Sequence, residues 1–263
     1  MTYQRKEVIG DATLYLGDAL AVIPELGAVD AILTDPPYSS GGTFRADRQL
    51  GTKAKYQDNR SLHLYSEFAG DNRDQRGFAH WSALWLAAAI QRVRPGGICG
   101  LFTDWRQLPT TTDALQAGGW LWRGLAVWDK TEAARPAKGR YRNQCEYLVW
   151  GSNGPMREEG VCAPGVFRYS VASEEKFHIA GKPTALMSDL MAILGETILD
   201  PFMGSGTCGV SAANLGRRYV GIEIDPTHFD IACRRIAKAY EQPRLFDEPP
   251  PKPVQPSLLG DAA

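Results

Sequence analysis

The chain has 263 residues, of which 44% are hydrophobic and 22% charged, and its formal net charge is -1 at pH 7. These values are typical of an ordinary globular protein with a large core, and they exclude a globally basic nucleic-acid binder, so any such contact must come from local patches. The five cysteines form no C-x-x-C pair, which argues against a zinc knuckle or a redox motif, and no signal or membrane segment is visible, so a cytoplasmic protein is expected.

Strand and helix patterns alternate along the chain, which predicts an α/β fold with a mostly parallel sheet and helices on both faces. Predicted strands are 13–16, 31–34, 98–103, 121–128, 146–150, 197–199 and 219–222, and predicted helices lie near 78–93, 107–117, 184–194, 207–216 and 226–241. The interval 152–180 is expected to be irregular or hairpin-like. A single domain over residues 1–241 is therefore predicted.

The segment 31–38, Ala-Ile-Leu-Thr-Asp-Pro-Pro-Tyr, runs from an apolar strand into an acid, two prolines and a tyrosine. Pro36 and Pro37 cannot donate to a strand ladder, so the strand must end near Asp35. By itself this segment is also what an ordinary Asp-Pro loop would look like.

The segment 197–209 predicts a strand that turns through glycines into a helix. Gly204, Gly206 and Gly209 satisfy G-x-G-x-x-G, and Glu223 at the end of the next strand is suited to a ribose diol, which indicates a nucleotide cofactor. A dinucleotide oxidoreductase would have the same spacing. However, Asp200 just before the glycines favours a cationic ligand over a pyrophosphate.

Together the two segments resemble the amino-group-specific S-adenosylmethionine-dependent DNA methyltransferases. The match joins Asp35-Pro36-Pro37-Tyr38 to Asp200-Pro-Phe202-x-Gly204-x-Gly206-Thr207, with further pieces at Gly17-Asp18, at Arg94-Pro-Gly-Gly97, at His178 and at Lys182-Pro183. The catalytic motif comes before the cofactor motif, an order similar to that of the permuted beta subclass. The resemblance implies a Rossmann-like methyltransferase fold with circularly permuted motif order.

The same resemblance implies a role for each matching residue. Asp35, Pro36, Pro37 and Tyr38 would be catalytic, Asp18 would lie near the base pocket, and S-adenosylmethionine would be held by Asp200, Phe202, Gly204, Ser205, Gly206, Thr207, Glu223 and Lys182. The expected reaction is methylation of adenine N6 in a base flipped out of duplex DNA, in the manner of restriction-modification enzymes. Cytosine N4 is the alternative, and an RNA methyltransferase or a nicotinamide-dependent oxidoreductase is a more remote one.

Two basic segments are predicted to contact double-stranded DNA from insertions at about 39–76 and 130–172. The residues concerned are Arg45, Arg48, Lys53 and Lys55 in the first, and Lys130, Arg135, Lys138, Arg140 and Arg142 in the second. The short second insertion suggests that contacts are shared across a homodimer. The Pro-rich segment 242–263 is expected to be a disordered tail, and Gln242–Phe246 within it resembles the peptide by which bacterial proteins bind the replication sliding clamp.

Overall fold

The computed structural model describes residues 2–38, 73–134, 136, 138–157, 160–170 and 182–241. The strands in these ranges are β1 (Tyr3–Ile9), β2 (Ala12–Gly17), β3 (Val29–Thr34), β4 (Val93–Thr103), β5 (Leu121–Asp129), β6 (Cys145–Ser152), β7 (Val166–Arg168), β8 (Thr197–Asp200) and β9 (Arg218–Glu223). The helices are α1 (Ala19–Val22), α2 (Gln75–Ile90), α3 (Leu108–Ala117), α4 (Thr184–Leu190), α5 (Thr207–Asn214) and α6 (Pro226–Glu241).

The strands form one sheet in the order β1-β2-β9-β8-β3-β4-β6-β5-β7. The central run from β2 to β4 is parallel, and β7 is parallel to β5, whereas β1 pairs antiparallel with β2 and β6 pairs antiparallel with β4 and β5. The predicted mostly parallel sheet is confirmed. Because β3 and β8 are neighbours with Ala31 opposite Ile198, the two sequence motifs that follow them begin side by side.

Helices cover both faces of the sheet, as predicted. On one face α4, α5 and α6 bury apolar side chains such as Leu186 and Phe229 against β2, β3 and β8. On the other face α1, α2 and α3 bury Trp85 and Leu115 against β3, β4 and β8. The central strands β3 and β8 thus bury apolar side chains on both faces, which explains why their sequences are largely hydrophobic.

Several element boundaries differ from the sequence predictions. Strand β1 was missed because its segment is rich in charged side chains, and its residues are mostly exposed at the sheet edge. Helix α2 begins at Gln75, three residues before the predicted start, because the Asp74 carboxylate caps it by accepting a hydrogen bond from the Gly77 N–H at 2.7 Å. The predicted end at residue 93 was also wrong, since Val93 already belongs to β4.

The predicted insertion 130–172 contains β6 and β7, both of which belong to the central sheet. Within it, the described residues outside the sheet are therefore the two connections on either side of β6 and the end that follows β7. The predicted insertion 39–76 and the predicted tail 242–263 lie mostly or wholly outside the described residues. Within the described part of the chain, no helix is both long enough and apolar enough to cross a lipid bilayer.

Candidate active site

The Asp-Pro-Pro-Tyr segment leaves the sheet at the carboxyl end of β3. Thr34 is fully buried, whereas the Asp35 side chain retains 28% exposure and Tyr38 is half-buried. In an open parallel sheet, ligands bind at the carboxyl ends of the strands, and β3 is central. Asp35 is therefore placed where a substrate can reach it.

Lys182 contacts the predicted catalytic carboxylate directly. Its Nζ lies 2.5 Å from Asp35 Oδ2 and 3.2 Å from Glu146 Oε2, and the other oxygen of Glu146 lies 2.7 Å from Lys130 Nζ. These four side chains, called here the charge chain, alternate in sign from Asp35 to Lys130. The family resemblance implied a place for Lys182 at the cofactor end of the cleft, whereas the structure places its ammonium beside Asp35.

Apolar rings surround the Lys182 ammonium, whose side chain is only 5% exposed. The Nζ atom is 4.9 Å from the ring centre of Phe102 and 5.9 Å from those of Trp128 and Tyr38. Burial opposes the charge on this lysine, but the Asp35 and Glu146 carboxylates outweigh burial and raise the pKa of Lys182.

The pKa of Glu146 is lowered, whereas that of Lys182 is raised. Burial opposes its charge, yet the Lys182 and Lys130 ammonium groups hold the pKa of Glu146 below its usual value. Lysine and glutamate are therefore both ionised near neutral pH.

The glycine turn after β8 has one open side and one closely packed side. A Cβ atom on Gly204, at φ 51°, would meet nothing within 4 Å, whereas one on Gly206, at φ 82°, would lie 2.9 Å from Ala232 Cβ. The open side leaves the backbone accessible to a ligand, and the packed side fixes the turn on α6. This cradle fits a nucleotide-type cofactor, as the sequence predicted.

Arg235 on α6 holds the glycine turn in place through hydrogen bonds. Its Nη1 donates to the Ser205 carbonyl at 2.6 Å, to Ser205 Oγ at 3.0 Å and to Thr207 Oγ1 at 3.1 Å. The hydroxyl groups of Ser205 and Thr207 thus support the turn from within the protein. The predicted contact of these two residues with the cofactor stays a prediction.

Asp200 lies beneath the turn and is only 3% exposed. It accepts hydrogen bonds from Thr34 Oγ1 at 2.6 Å, from the Phe202 N–H at 3.2 Å and from the Tyr219 hydroxyl at 3.2 Å. Burial raises the pKa of Asp200 to about 6 despite these donors. Its carboxylate joins β3, β8 and β9 at the edge of the sheet where the two motifs begin.

Glu223 ends β9 and holds the other side of the glycine turn. One carboxylate oxygen accepts from the Gly204 N–H at 2.8 Å, and the other accepts from the Asp225 N–H at 2.8 Å and from the Ile224 N–H at 3.0 Å. Burial raises the pKa of this carboxyl to about 7. The predicted ribose acid is thus beside the predicted glycine turn.

An aromatic cluster packs against the turn on the α2 side. The Phe202 ring lies 5.1 Å from the ring of Trp81 and 5.2 Å from that of Trp85, and the Arg73 guanidinium sits 4.1 Å above Trp81. Phe202, predicted to bind the cofactor, is therefore anchored by α2.

Asp18 and Asp35 lie on opposite sides of the two strands, β8 and β9, that carry the cofactor motifs. Asp18 caps α1 by accepting from the Leu20 N–H at 2.9 Å, directly after β2. Two strands, β9 and β8, separate β2 from β3, and neighbouring strands are about 4.8 Å apart, so Asp18 and Asp35 leave the sheet roughly 14 Å from each other. This separation is larger than expected for the predicted position near the base pocket.

The second basic segment divides into paired and exposed side chains. Lys130 is engaged by Glu146, and Arg142 donates to the Glu132 carbonyl, whereas Lys138 and Arg140 are exposed. Tyr141, between the two arginines, is 100% exposed. Arg45, Arg48, Lys53, Lys55, Arg135, His178 and Gln242–Phe246 lie outside the described residues.

Sequence reasoning missed Glu146 and Arg235. Glu146 lies in a strand whose other residues are largely apolar. A single acidic residue in such a strand could have been predicted to pair with a buried cation. Arg235 gave no such signal, because the adjacent Arg234 has the same charge and is exposed. In the described residues, no group of acidic, histidine and cysteine side chains is arranged to hold a metal ion.

Comparisons with known proteins agree with this geometry. A family model described as DNA methylase, of the N6/N4 type, matches residues 29–158 and 165–234. The Type II methyltransferase M.Cfr9I of Citrobacter freundii is 28% identical, over 87% of this chain and 88% of that protein. Among solved structures, the M1.HpyAVI–SAM complex has a TM-score of 0.62 at 24% identity, covering 86% of this chain and 98% of that one.

The PvuII DNA methyltransferase (cytosine-N4-specific) has a TM-score of 0.65 at 16% identity, covering 91% of this chain and 95% of that one. These structures share the α/β fold with the present chain. The family match replaces the oxidoreductase alternative with methyl transfer to an amino group of DNA. The chain belongs to the DNA methylase family of N6 and N4 amino-methyltransferases.

Proposed function

We propose that this DNA amino-methyltransferase modifies N6 of adenine, in a base flipped out of duplex DNA. The observation that carries the proposal is the position of the Asp35 carboxylate. Asp35 directly follows β3, beside the strand that leads into the glycine turn, and its side chain is 28% exposed. Cytosine N4 presents a similar amine, so it is the alternative outcome of the test below.

The methyl donor is S-adenosylmethionine, which supplies a methyl group on a positively charged sulfur. Asp35 and the Pro36 carbonyl accept the two amine hydrogens and aim the nitrogen lone pair, in a geometry that two consecutive prolines make rigid. The amine forms its new N–C bond as the C–S bond breaks, with the bonding electrons going to sulfur. The nitrogen then loses one proton to water, and the products are the N-methyl base and a neutral thioether.

A carboxylate is an effective acceptor here because positive charge develops on the nitrogen as the new bond forms. An ionised acceptor contributes roughly 1.5 to 3 kcal/mol, and more in a site with little water. Tyr38 is half-buried beside Asp35 and would stack on the flipped base. Flipping costs a few kcal/mol, and stacking returns roughly 1 to 3.

We assign the cofactor to the open face of Gly204, with Phe202 and Glu223 at its borders. Glu223 would bind the ribose, and its present hydrogen bond to the Gly204 N–H at 2.8 Å keeps it beside the turn. Asp18, which follows the next strand outward, is better placed for the adenosine end than for the target base. Ser205, Thr207 and Asp200 would act through the shape of the turn.

The exposed Lys138, Arg140 and Tyr141 are proposed DNA contacts in the described part of the second basic segment. Cationic side chains would bind phosphates, and an exposed tyrosine offers a surface for a base or sugar. The homodimer, the sliding-clamp contact and the cytoplasmic location remain predictions from the sequence.

The test is to incubate the protein with methyl-labelled S-adenosylmethionine and mixed-sequence duplex DNA, digest the DNA to nucleosides, and identify the labelled nucleoside by mass spectrometry. Label in N6-methyladenine is the expected result. Label in N4-methylcytosine would keep the family and the site but overturn the base assignment. Label in neither nucleoside would contradict the proposed activity on duplex DNA.

A further inference from the structure

The charge chain presents an electrostatic problem at the reaction centre. A methyl transfer at Asp35 needs a cationic sulfonium nearby, yet the Lys182 ammonium already lies 2.5 Å from Asp35 Oδ2. Two cations near one carboxylate repel each other, and the repulsion is strong where rings such as Phe102 exclude water. Asp35 and Lys182 alone would give a neutral pair with little attraction for a sulfonium.

Glu146 offsets the positive charge of Lys182. Its carboxylate lies 3.2 Å from Lys182 Nζ, which also lies 2.5 Å from Asp35 Oδ2, so these two carboxylates and one ammonium together carry one net negative charge. Lys130 brings the formal charge of the charge chain to zero, but it pairs with Glu146 at 2.7 Å at the outer end of the chain and, at 18% exposure, is better screened by water than Lys182, at 5%.

We propose that Glu146 is a positioning residue that holds Lys182 against Asp35 and neutralises its charge, so that the pocket attracts the sulfonium of the cofactor. The inference rests on the proposed methyl transfer at Asp35 and extends it to a residue of β6. Lys182 orients the catalytic carboxylate through Oδ2, and Glu146 prevents this lysine from opposing the cationic reaction centre.

The decisive measurement compares two ligands that differ in the charge on sulfur. Isothermal titration calorimetry would give the affinities of wild-type protein and Glu146→Gln for S-adenosylmethionine and for the neutral S-adenosylhomocysteine. Glu146→Gln preserves the side-chain shape and removes the charge. We expect it to weaken S-adenosylmethionine binding roughly tenfold and to leave S-adenosylhomocysteine binding within about twofold.

A double variant separates the charge role from a role in folding. Removing the lysine as well, in Glu146→Gln/Lys182→Met, eliminates the uncompensated cation and should restore most of the S-adenosylmethionine affinity. A purely structural role predicts further loss instead. Steady-state kinetics should show Glu146→Gln lowering kcat with little change in KM for DNA, because Glu146 acts on the reaction centre.

Glu132→Gln is the matched control, since it removes the same charge from a side chain that is 72% exposed. It should leave the ratio of the two ligand affinities unchanged. Equal weakening of both ligands in Glu146→Gln, or additive losses in the double variant, would overturn the inference while the wild-type methylation remains intact. A wild-type protein that binds neither ligand would refute the proposed function itself and the inference with it.

Discussion

Thr34, the last residue of β3, donates a 2.6 Å hydrogen bond to Asp200, the last residue of β8. The catalytic motif begins one residue after Thr34, and the glycine turn begins a few residues after Asp200. One buried hydrogen bond therefore joins the two places where the methyl acceptor and the methyl donor are expected to be held. The relative position of the two motifs depends on this contact as well as on strand pairing.

Replacement of Thr34 by valine tests this contact, because valine has nearly the same shape and lacks the hydroxyl. The buried Asp200 oxygen would lose its shortest hydrogen bond, so we expect the free energy of unfolding to fall by about 1 to 3 kcal/mol. Urea denaturation measures this change. Thr13→Val on the half-buried side of β2 is the control and should stay within about 0.5 kcal/mol. Equal stability of Thr34→Val and the control would contradict a stabilising role for the bond.

The free energy of unfolding should depend on pH because the Asp200 carboxyl has a raised pKa in the folded protein. Burial raises its pKa from 3.8 to about 6, so the folded protein holds this proton more tightly than the unfolded chain does. Its contribution to stability is therefore fully present below about pH 4 and is lost as the pH rises through about 6, up to about 3 kcal/mol in total.

Asp200→Asn removes this titration. The difference in unfolding free energy, wild type minus variant, should decrease between about pH 4 and pH 6 and then level off, as measured by urea denaturation across that range. Parallel pH profiles for the two proteins would show that burial does not raise the pKa of Asp200.

The sequence predicted those parts of the site that are contiguous in the chain. Asp35–Tyr38 and the glycine turn carry their own strand ends and turn residues, and the predicted α/β alternation placed both at one edge of a parallel sheet. The contact between Lys182 and Glu146 was beyond such reasoning. It exists because β6 pairs antiparallel with β4, beside β3, and no local pattern specifies that pairing.

The separation of Asp18 from Asp35 also depends on strand order, which local sequence does not specify. Asp18 is only 17 residues before Asp35 in the chain, yet β9 and β8, from the far end of the sequence, are inserted between their strands. The family resemblance implied a position of Asp18 near the base pocket, and nothing in the local sequence indicated the two strands that lie between Asp18 and Asp35.

Arg235→Met should weaken cofactor binding without touching the cofactor. The variant removes three hydrogen bonds that hold Ser205 and Thr207 in the glycine turn. A looser turn must be ordered on binding, so we expect about tenfold weaker affinity for both S-adenosylmethionine and S-adenosylhomocysteine by calorimetry. Arg234→Met, at the exposed neighbouring position, is the control and should bind both ligands normally. Unchanged affinity in Arg235→Met would show that the turn keeps its shape without the guanidinium.

Asp35→Asn should abolish most turnover while the protein remains folded. Asparagine presents a neutral carbonyl and an N–H donor where the amine needs an ionised acceptor, so kcat should fall by at least about 10²-fold. Methyl incorporation into DNA under single-turnover conditions is the measurement, with Asp74→Asn at the start of α2 as the control. Near-normal turnover in Asp35→Asn would eliminate Asp35 as the amine acceptor.

Lys138 and Arg140 should contribute to DNA affinity through phosphate contacts, since both side chains are exposed in the connection before β6. Each phosphate contact on B-DNA contributes about 0.9 to the slope of log affinity against log salt concentration. The double variant Lys138→Gln/Arg140→Gln should therefore reduce that slope by roughly 2, as measured by fluorescence anisotropy with a labelled duplex at several salt concentrations. Arg234→Gln/Lys238→Gln on α6 removes the same charge elsewhere and should leave the slope unchanged. Identical slopes for the two double variants would mean that the basic segment before β6 does not face the DNA.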